Sequence, residues 1–168
     1  MTSATPGTLE GHACHLGGLL GNFQSLEILI RIYLFKLPGA RPSGVAHGVD
    51  LFEFQVGTMV DESDVTSYYS LGQLMDKFNA RAVASGSPQI DRELVKIRDA
   101  LAHGRVSAVA PSETLRLVKF GPPRQGKVRI EFNETLSVDW LVAQKRRVFQ
   151  AIETVHAHMP PEQPPASL

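Results

Sequence analysis

A long segment near the start of the chain carries apolar residues at the spacing of an amphipathic helix. Within residues 9–37 they recur mostly every three or four positions, at Leu16, Leu19, Leu20, Phe23, Leu26, Ile30 and Leu34. Pro38-Gly39 ends the pattern, since proline cannot continue a helix. A helix of this length is long enough to span the domain.

Three more segments have helical periodicity. The second is predicted over about residues 67–84, and the fourth begins after Ser137. The third has the clearest boundaries, because Ser87-Pro88 suits a helix start and His103-Gly104 a helix end. On this third helix Ile90, Leu94, Ile97 and Leu101 form one apolar stripe.

A β-hairpin is predicted between the third and fourth helices. Residues 114–120 and 127–132 flank a segment rich in Gly and Pro, and the second run alternates charged with apolar side chains. We therefore expect a mainly α fold, a four-helix bundle with an inserted β-hairpin. It forms a single domain over residues 1–168, with disordered tails at 1–8 and 160–168.

Composition narrows the class of protein. The 168 residues are 43% hydrophobic, enough for a real core, and carry 17 basic and 17 acidic side chains. With zero net charge, contact with a nucleic acid must be local. The one cysteine, Cys14, excludes an intramolecular disulfide and favours a cytoplasmic location. No signal peptide is predicted, because residues 1–8 lack a basic region and an apolar run. No membrane span is predicted, because charged residues interrupt the most apolar stretch, residues 26–37.

The end of the third helix collects polar groups suited to chemistry on a phosphodiester. The segment from Arg98 to His103 places a fixed cation, a carboxylate (Asp99) and an imidazole opposite the apolar stripe. Asp99 and His103 are four residues apart, so the carboxylate can orient the ring. The small side chain of Ala102 lies between Arg98 and His103, so a phosphate or a second copy of the helix can approach both.

A plainer interpretation competes with this one. Arg98 is then a solvated surface cation, and His103 interacts with the last carbonyl groups of its helix, as many C-terminal histidines do. An Arg and a His five residues apart are weakly informative by spacing alone. The polar residue directly after Arg98 and the position at a helix end make the pattern more specific.

Arg98, polar Asp99 and His103, at the end of a helix in a small four-helix arrangement, resemble the signature of the HEPN family (higher eukaryotes and prokaryotes nucleotide-binding domains). That signature is an Arg, four to six residues of which the first is polar, and a His. Glu27 and Arg31 on the first helix resemble the acidic-then-basic pair that some members carry opposite the signature, although an ordinary ion pair has the same spacing. The resemblance covers the helical parts of the chain.

The resemblance implies a metal-independent endoribonuclease, often a toxin or antiphage effector, that acts as a homodimer with two signature helices facing each other. His103 would serve as general base or acid, Arg98 would stabilise the phosphorane, and Asp99 would orient His103. Glu27 or Arg31 would position Arg98 or the RNA. A cognate antitoxin or regulatory protein is a further expected partner. The alternative is a catalytically inactive helical module that binds RNA, a nucleotide or a protein.

Further cations are candidates for RNA contact. Some family members carry, two residues after the signature His, a tyrosine that a partner enzyme modifies; here Arg105 takes that place, so we do not expect this control and assign Arg105 to a phosphate. The hairpin adds a local cluster that can follow an RNA backbone. Its members are Arg116, Lys119, Arg124, Lys127 and Arg129. A solvated strand with a charged edge that prevents aggregation is the alternative for this cluster.

We expect neither a metal site nor a cofactor. His12, Cys14 and His15 include metal-binding side chains, but they lie together near a terminus without a second group of ligands. The chain has no glycine-rich phosphate loop and no Ser-His-acid spacing.

Overall fold

The computed structural model describes residues 9–40, 51–109 and 114–161. Among these residues it contains four α-helices, one short 3-10 helix at Leu51–Glu53 and one antiparallel sheet of three strands in the order β1-β2-β3. The elements are α1 (Leu9–Phe35), α2 (Leu71–Ala84), α3 (Glu93–His103), β1 (Arg105–Val109), β2 (Thr114–Phe120), β3 (Ile130–Thr135) and α4 (Val138–Ala157). None of the described helices is long and apolar enough to cross a membrane.

The fold is mainly α, as predicted, but the β part is larger than a hairpin. Strand β1 was not predicted, and it pairs with β2 from Arg105↔Val118 to Val109↔Thr114. Strand β3 begins at Ile130, three residues later than predicted, because residues 121–129 form an extended loop with one bridge between Arg124 and Lys127. Of the predicted disordered tails, residues 1–8 and 162–168 lie outside the described part of the chain.

The chain divides into two compact units. The first comprises Met1–Leu26 and Asp91–Ala151, and the second comprises Glu27–Ile90 and Ile152–Leu168. Helix α3 and the sheet belong to the first unit, and helix α2 belongs to the second.

In the first unit, α3 packs against one face of the sheet. Ala100, Leu117 and Leu136 are fully buried there, and the partly buried hydrophobic residues Leu101, Leu115, Phe132 and Trp140 pack against them. Phe132 and Trp140 meet edge to face, with ring centroids 6.4 Å apart. Helix α4 begins where predicted, because the Ser137 hydroxyl accepts a hydrogen bond from the Trp140 backbone N–H.

A β-bulge adjusts the last part of the sheet. Lys119 pairs with Phe132 and Phe120 with Ile130, so Glu131 is an extra residue on β3. The carboxylate of Glu131 reaches the Lys119 ammonium at 3.0 Å. A Cβ on Gly121 would lie 2.5 Å from Glu131 Oε1, so a larger residue there would require the Glu131 side chain to shift.

In the second unit, α2 begins at Leu71, later than the predicted start near residue 67. The reason is a capping box: the Ser70 hydroxyl accepts from the Gln73 backbone N–H, and the Gln73 side chain accepts from the Ser70 N–H. Phe78 is fully buried on this helix, with its ring centroid 5.1 Å from that of Tyr33.

The predicted start of the third helix at Ser87-Pro88 is wrong, since α3 begins at Glu93. The backbone of Ile90 is already bound on both sides by the Asn79 side chain, which donates to the Ile90 carbonyl and accepts from the Ile90 N–H. Asp91 instead accepts a hydrogen bond from the Glu93 backbone N–H and opens the helix. The predicted end at His103-Gly104 is confirmed.

Candidate functional site

His103 is the last residue of α3, and a strand follows it almost at once. The Gly104 N–H closes the helix by donating to the Ala100 carbonyl at 2.7 Å, and with φ −78° and ψ 178° the chain at Gly104 is extended. A Cβ on Gly104 would meet the Ala100 carbonyl oxygen and, at 2.6 Å, Leu117 Cδ1. Glycine therefore lets α3 pass directly into β1, which places Arg105 two residues after His103.

The His103 imidazole is exposed and lies on an open pocket of about 440 Å³. The other lining residues are Arg105, Phe120, Gly121 and Val128. Within the described chain the ring has no hydrogen-bond or ion-pair partner, so both nitrogens are available to a ligand. A volume of this size lies within the range of about 300–1,000 Å³ that is usual for small-molecule sites.

A second pocket of about 330 Å³ adjoins the first and shares Gly121 and Val128 with it. Its charged lining consists of Arg124, Lys127, Arg129 and Glu131. The three cationic side chains are exposed, and no described residue forms an ion pair with any of them. Of the cluster predicted on the hairpin, these three therefore form one positive surface beside His103.

The other two cations of the predicted cluster are engaged elsewhere. Arg116 donates a 2.8 Å hydrogen bond to the Asn133 side chain. Lys119 lies between two carboxylates, 3.0 Å from Glu131 and 3.2 Å from Asp99. The hydrogen bond with Glu131, followed by the one with Asp99, raises the pKa of Lys119 above its ordinary value.

Asp99 is held by cations rather than by His103. Its carboxylate contacts the Lys119 ammonium and lies 3.8 Å from Arg98 Nη1. Within the described residues no hydrogen bond joins Asp99 to the His103 ring. The structure therefore links α3 to β2 through Asp99, a contact that local helix spacing does not reveal.

Arg98 is partly exposed on α3, with 37% of its side chain accessible. It does not line the pocket of His103. Positions five apart on a helix differ by about 140° around its axis, so one copy of the helix presents the two side chains in different directions. Within the described part of one chain, the structure therefore brings His103 together with Arg105, not with Arg98.

Arg31 is buried and fully engaged in the second unit. Its guanidinium donates to the Ser67 carbonyl at 2.7 Å, the Ser67 hydroxyl at 3.0 Å, the Tyr69 carbonyl at 2.7 Å and the Glu27 carboxylate at 3.0 Å. These bonds fix the chain that leads into α2. Glu27 and Arg31 thus form an ion pair with a clear structural role.

Phe120 is the site residue that the sequence analysis missed. Its ring is 38% exposed, and the Arg105 guanidinium lies 5.2 Å from the ring centroid. The available signal was the alternation along β2, which places Arg116, Val118 and Phe120 on one face. Because β1 was not predicted, the sequence did not show that Arg105, its first residue, lies on the same face of the sheet as Phe120.

No protein-family model, curated protein or solved structure matches this chain. Within the described residues there is also no group of three or more His, Cys, Asp or Glu side chains that could hold a metal ion. The functional assignment therefore depends on the chemistry and geometry of the site.

Proposed function

We propose that this chain is a metal-independent endoribonuclease of HEPN type, built as a four-helix bundle with an inserted β element and active as a homodimer. The observation that carries the proposal is the exposed His103 imidazole on a pocket that adjoins three exposed cations, none of which has a side-chain partner in the described part of the chain. An imidazole can accept and donate a proton, and cations beside it bind the phosphates of a polyanion.

The reaction uses the 2′-hydroxyl of RNA as its nucleophile. His103 of one protomer takes the proton of that hydroxyl, the oxygen attacks the adjacent phosphorus, and the 5′-oxygen leaves with a proton from a second acid. The products are a 2′,3′-cyclic phosphate and a free 5′-hydroxyl. Arg98 stabilises the charge of the phosphorane.

Dimerisation supplies what one chain lacks. A single histidine cannot readily be base and acid in one step, and Arg98 does not line the pocket of His103 in the same chain. Two signature helices that face each other bring two copies of His103 and Arg98 to one site. The side of α3 that must meet its copy is accessible, since Ala102 and His103 are exposed and Arg98 is partly exposed.

Asp99 takes a positioning role in this proposal. Its ion pair with Lys119 ties α3 to β2, and its other carboxylate oxygen lies 3.8 Å from Arg98 Nη1, where it positions the guanidinium. A toxin or antiphage effector with this activity acts on cytoplasmic RNA, and a cognate antitoxin or regulatory protein restrains it.

The alternative is a catalytically inactive HEPN-like module that binds RNA, a nucleotide or a protein partner. The observation in its favour is the same separation of Arg98 from the His103 pocket, together with the contact of Arg98 with Asp99. The cationic pocket serves binding equally well.

The test is incubation of the purified protein with end-labelled RNA in excess EDTA. We expect wild type to cleave and to leave cyclic-phosphate ends, and His103→Ala to be slower by about 10²- to 10⁴-fold, the usual contribution of a general acid or base. Arg98→Ala is expected to lose activity as well. His156→Ala is the matched control, because His156 is an exposed histidine in the last turn of α4.

Sedimentation of the same samples measures the oligomeric state. A dimer that cleaves only with Arg98 and His103 intact supports the nuclease. Equal cleavage by all four proteins would identify a contaminant, and a stable dimer that binds RNA without cleaving any would support the alternative.

A further inference from the structure

Phe120 is an exposed aromatic residue that does not take part in the core of the first unit. The sheet carries a second aromatic residue, Phe132, but that ring lies on the opposite face, where it packs against Trp140 and the buried cluster. Phe120 stands at the end of β2 on the outer face, opposite Ile130, which is 56% exposed. An exposed aromatic ring beside cations is a common platform for nucleic-acid bases.

The surroundings of Phe120 are divided into an apolar and a cationic part. Phe120 and Val128 supply the apolar surface of the pocket that also holds His103. The adjoining pocket supplies Arg124, Lys127 and Arg129. Glu131, the acidic residue of the cationic pocket, is bound to Lys119, and no residue of the described ranges forms an ion pair with the three cations.

This arrangement matches the two parts of a nucleotide. A base has a flat π-face, which gains free energy by stacking on an aromatic ring, and a phosphate carries the charge that the cations bind. Arg105 lies against the same ring, so its guanidinium plane can extend the stack or hold the next phosphate.

We propose that Phe120 is the stacking platform for one unpaired base of the RNA, next to the phosphate that His103 acts on, and that the substrate is therefore single-stranded or looped RNA. The assignment of His103 as the reacting group rests on the proposed function, whereas stacking on Phe120 does not. A base inside a duplex already has neighbours on both faces and cannot reach this ring without being flipped out of the helix.

The experiment separates binding from cleavage by using His103→Asn as the common background. Fluorescence anisotropy measures the affinity of that protein for a labelled single-stranded RNA, for the same RNA as a duplex and for versions with one abasic position. Phe120→Leu keeps an apolar side chain and removes the π-face, and Phe120→Trp keeps the stacking surface. Val106→Ala is the matched control, since Val106 is 49% exposed on the other face of the same sheet.

We expect Phe120→Leu to weaken binding of single-stranded RNA by about ten- to a hundredfold, the usual effect of removing one stacked base. Phe120→Trp and Val106→Ala are expected to bind as the background protein does. One abasic position is expected to weaken the background protein by a similar factor, and to have little further effect in Phe120→Leu. Quenching of the introduced Trp fluorescence by RNA provides a second measure of stacking.

The proposal is overturned if Phe120→Leu, folded by circular dichroism, binds single-stranded RNA like the background protein, or if duplex RNA binds as tightly as single-stranded RNA. It is also overturned if RNA leaves the fluorescence of Phe120→Trp unchanged. If wild type cleaves RNA but Phe120→Leu does not change RNA affinity, the proposed nuclease function is retained and the stacking role of Phe120 is rejected. If Phe120→Leu weakens RNA binding but wild type does not cleave RNA, the stacking role is retained and the nuclease function is rejected.

Discussion

The Glu27–Arg31 pair and the Asp99–His103 pair have the same spacing of four residues on a helix, but they differ in what surrounds them. Arg31 is buried, with 9% of its surface accessible, and its guanidinium is bound by two carbonyls, a hydroxyl and a carboxylate. His103 is exposed and has no partner among the described residues, because Lys119 and Arg98 take the carboxylate of Asp99.

The difference shows that two pairs with the same spacing can have different roles, one in stability and the other in ligand binding. A polar group whose bonding capacity is filled inside the protein stabilises the fold, and removing it leaves buried acceptors unpaired. A polar group that remains unpaired at the surface contributes little to stability and is free to act on a ligand. Stability and activity should therefore respond in opposite ways at the two places.

The largest expected effect is on activity at His103. In His103→Asn we expect the cleavage rate to fall by about 10²- to 10⁴-fold, since the amide cannot transfer the proton. The free energy of unfolding should change by no more than about 0.5 kcal/mol, because the ring is exposed and no described residue bonds to it. Urea unfolding and a cleavage assay on one preparation measure both quantities. A large loss of stability would show that His103 stabilises the fold, as Arg31 does, and would contradict the comparison.

The next effect is on stability at Arg31. Arg31→Met keeps most of the side-chain volume but removes the donors to Ser67, Tyr69 and Glu27, so we expect a loss of about 3 kcal/mol in the free energy of unfolding. Arg81→Met is the control, since Arg81 is an exposed cation of the same unit. Cleavage by Arg31→Met that is still folded should match wild type. A catalytic loss at full stability would show that Arg31 serves the reaction.

A smaller effect concerns the bond between α3 and β2. Lys119→Met should lower the free energy of unfolding by about 1 kcal/mol at neutral pH, as for a partly buried charge network. Because the folded pKa of Lys119 is raised, its contribution is complete below its ordinary pKa of 10.5 and is lost as the pH rises through the folded value.

The difference between wild type and Lys119→Met should therefore vanish at pH values well above 10.5. Urea unfolding of both proteins between neutral and strongly alkaline pH measures it. A difference that stays constant over that range would mean that the aliphatic part of Lys119, not its charge, is what stabilises the sheet.

The smallest effect is at the start of α3. Arg147 donates a 2.6 Å hydrogen bond to Asp91 and lowers the pKa of its carboxyl group, but both side chains are partly exposed, with 38% of Arg147 and 54% of Asp91 accessible. Asp91→Asn should therefore cost only about 0.5 kcal/mol. The contribution is present above the ordinary pKa of 3.8 and is lost as the pH falls through the lower folded value. Thermal unfolding at pH 7 and below pH 3.8 tests this, and an effect that grows in acid would contradict the assignment.

Sequence periodicity was sufficient for the elements whose signals are local. The end of α3 at Gly104, the start of α4 after Ser137 and strand β2 all depend on residues within one turn or one strand, and all three were predicted where they occur. The start of α3 was not, because the Ile90 backbone is bound by Asn79, eleven residues earlier.

Contacts between elements limited the prediction of the site in the same way. Asp99 accepts a hydrogen bond from Lys119, which lies on a strand twenty residues further along the chain, and the sequence of the helix does not predict this contact. Strand β1 is only five residues long, and its pairing with β2 was not evident from its own pattern. Phe120 and Arg105 therefore remained two separate residues until the sheet brought them together.

Gly104 has a consequence for how the site can change. Helix α3 and strand β1 meet at this one residue, with no spare length between them, and any larger side chain there would collide with the Ala100 carbonyl oxygen and with Leu117. The separation between His103 and Arg105 is thus set by the backbone and does not depend on contacts between their side chains. Substitution of the other residues that line the pocket can change its charge and its ligand preference while the backbone separation between His103 and Arg105 stays the same.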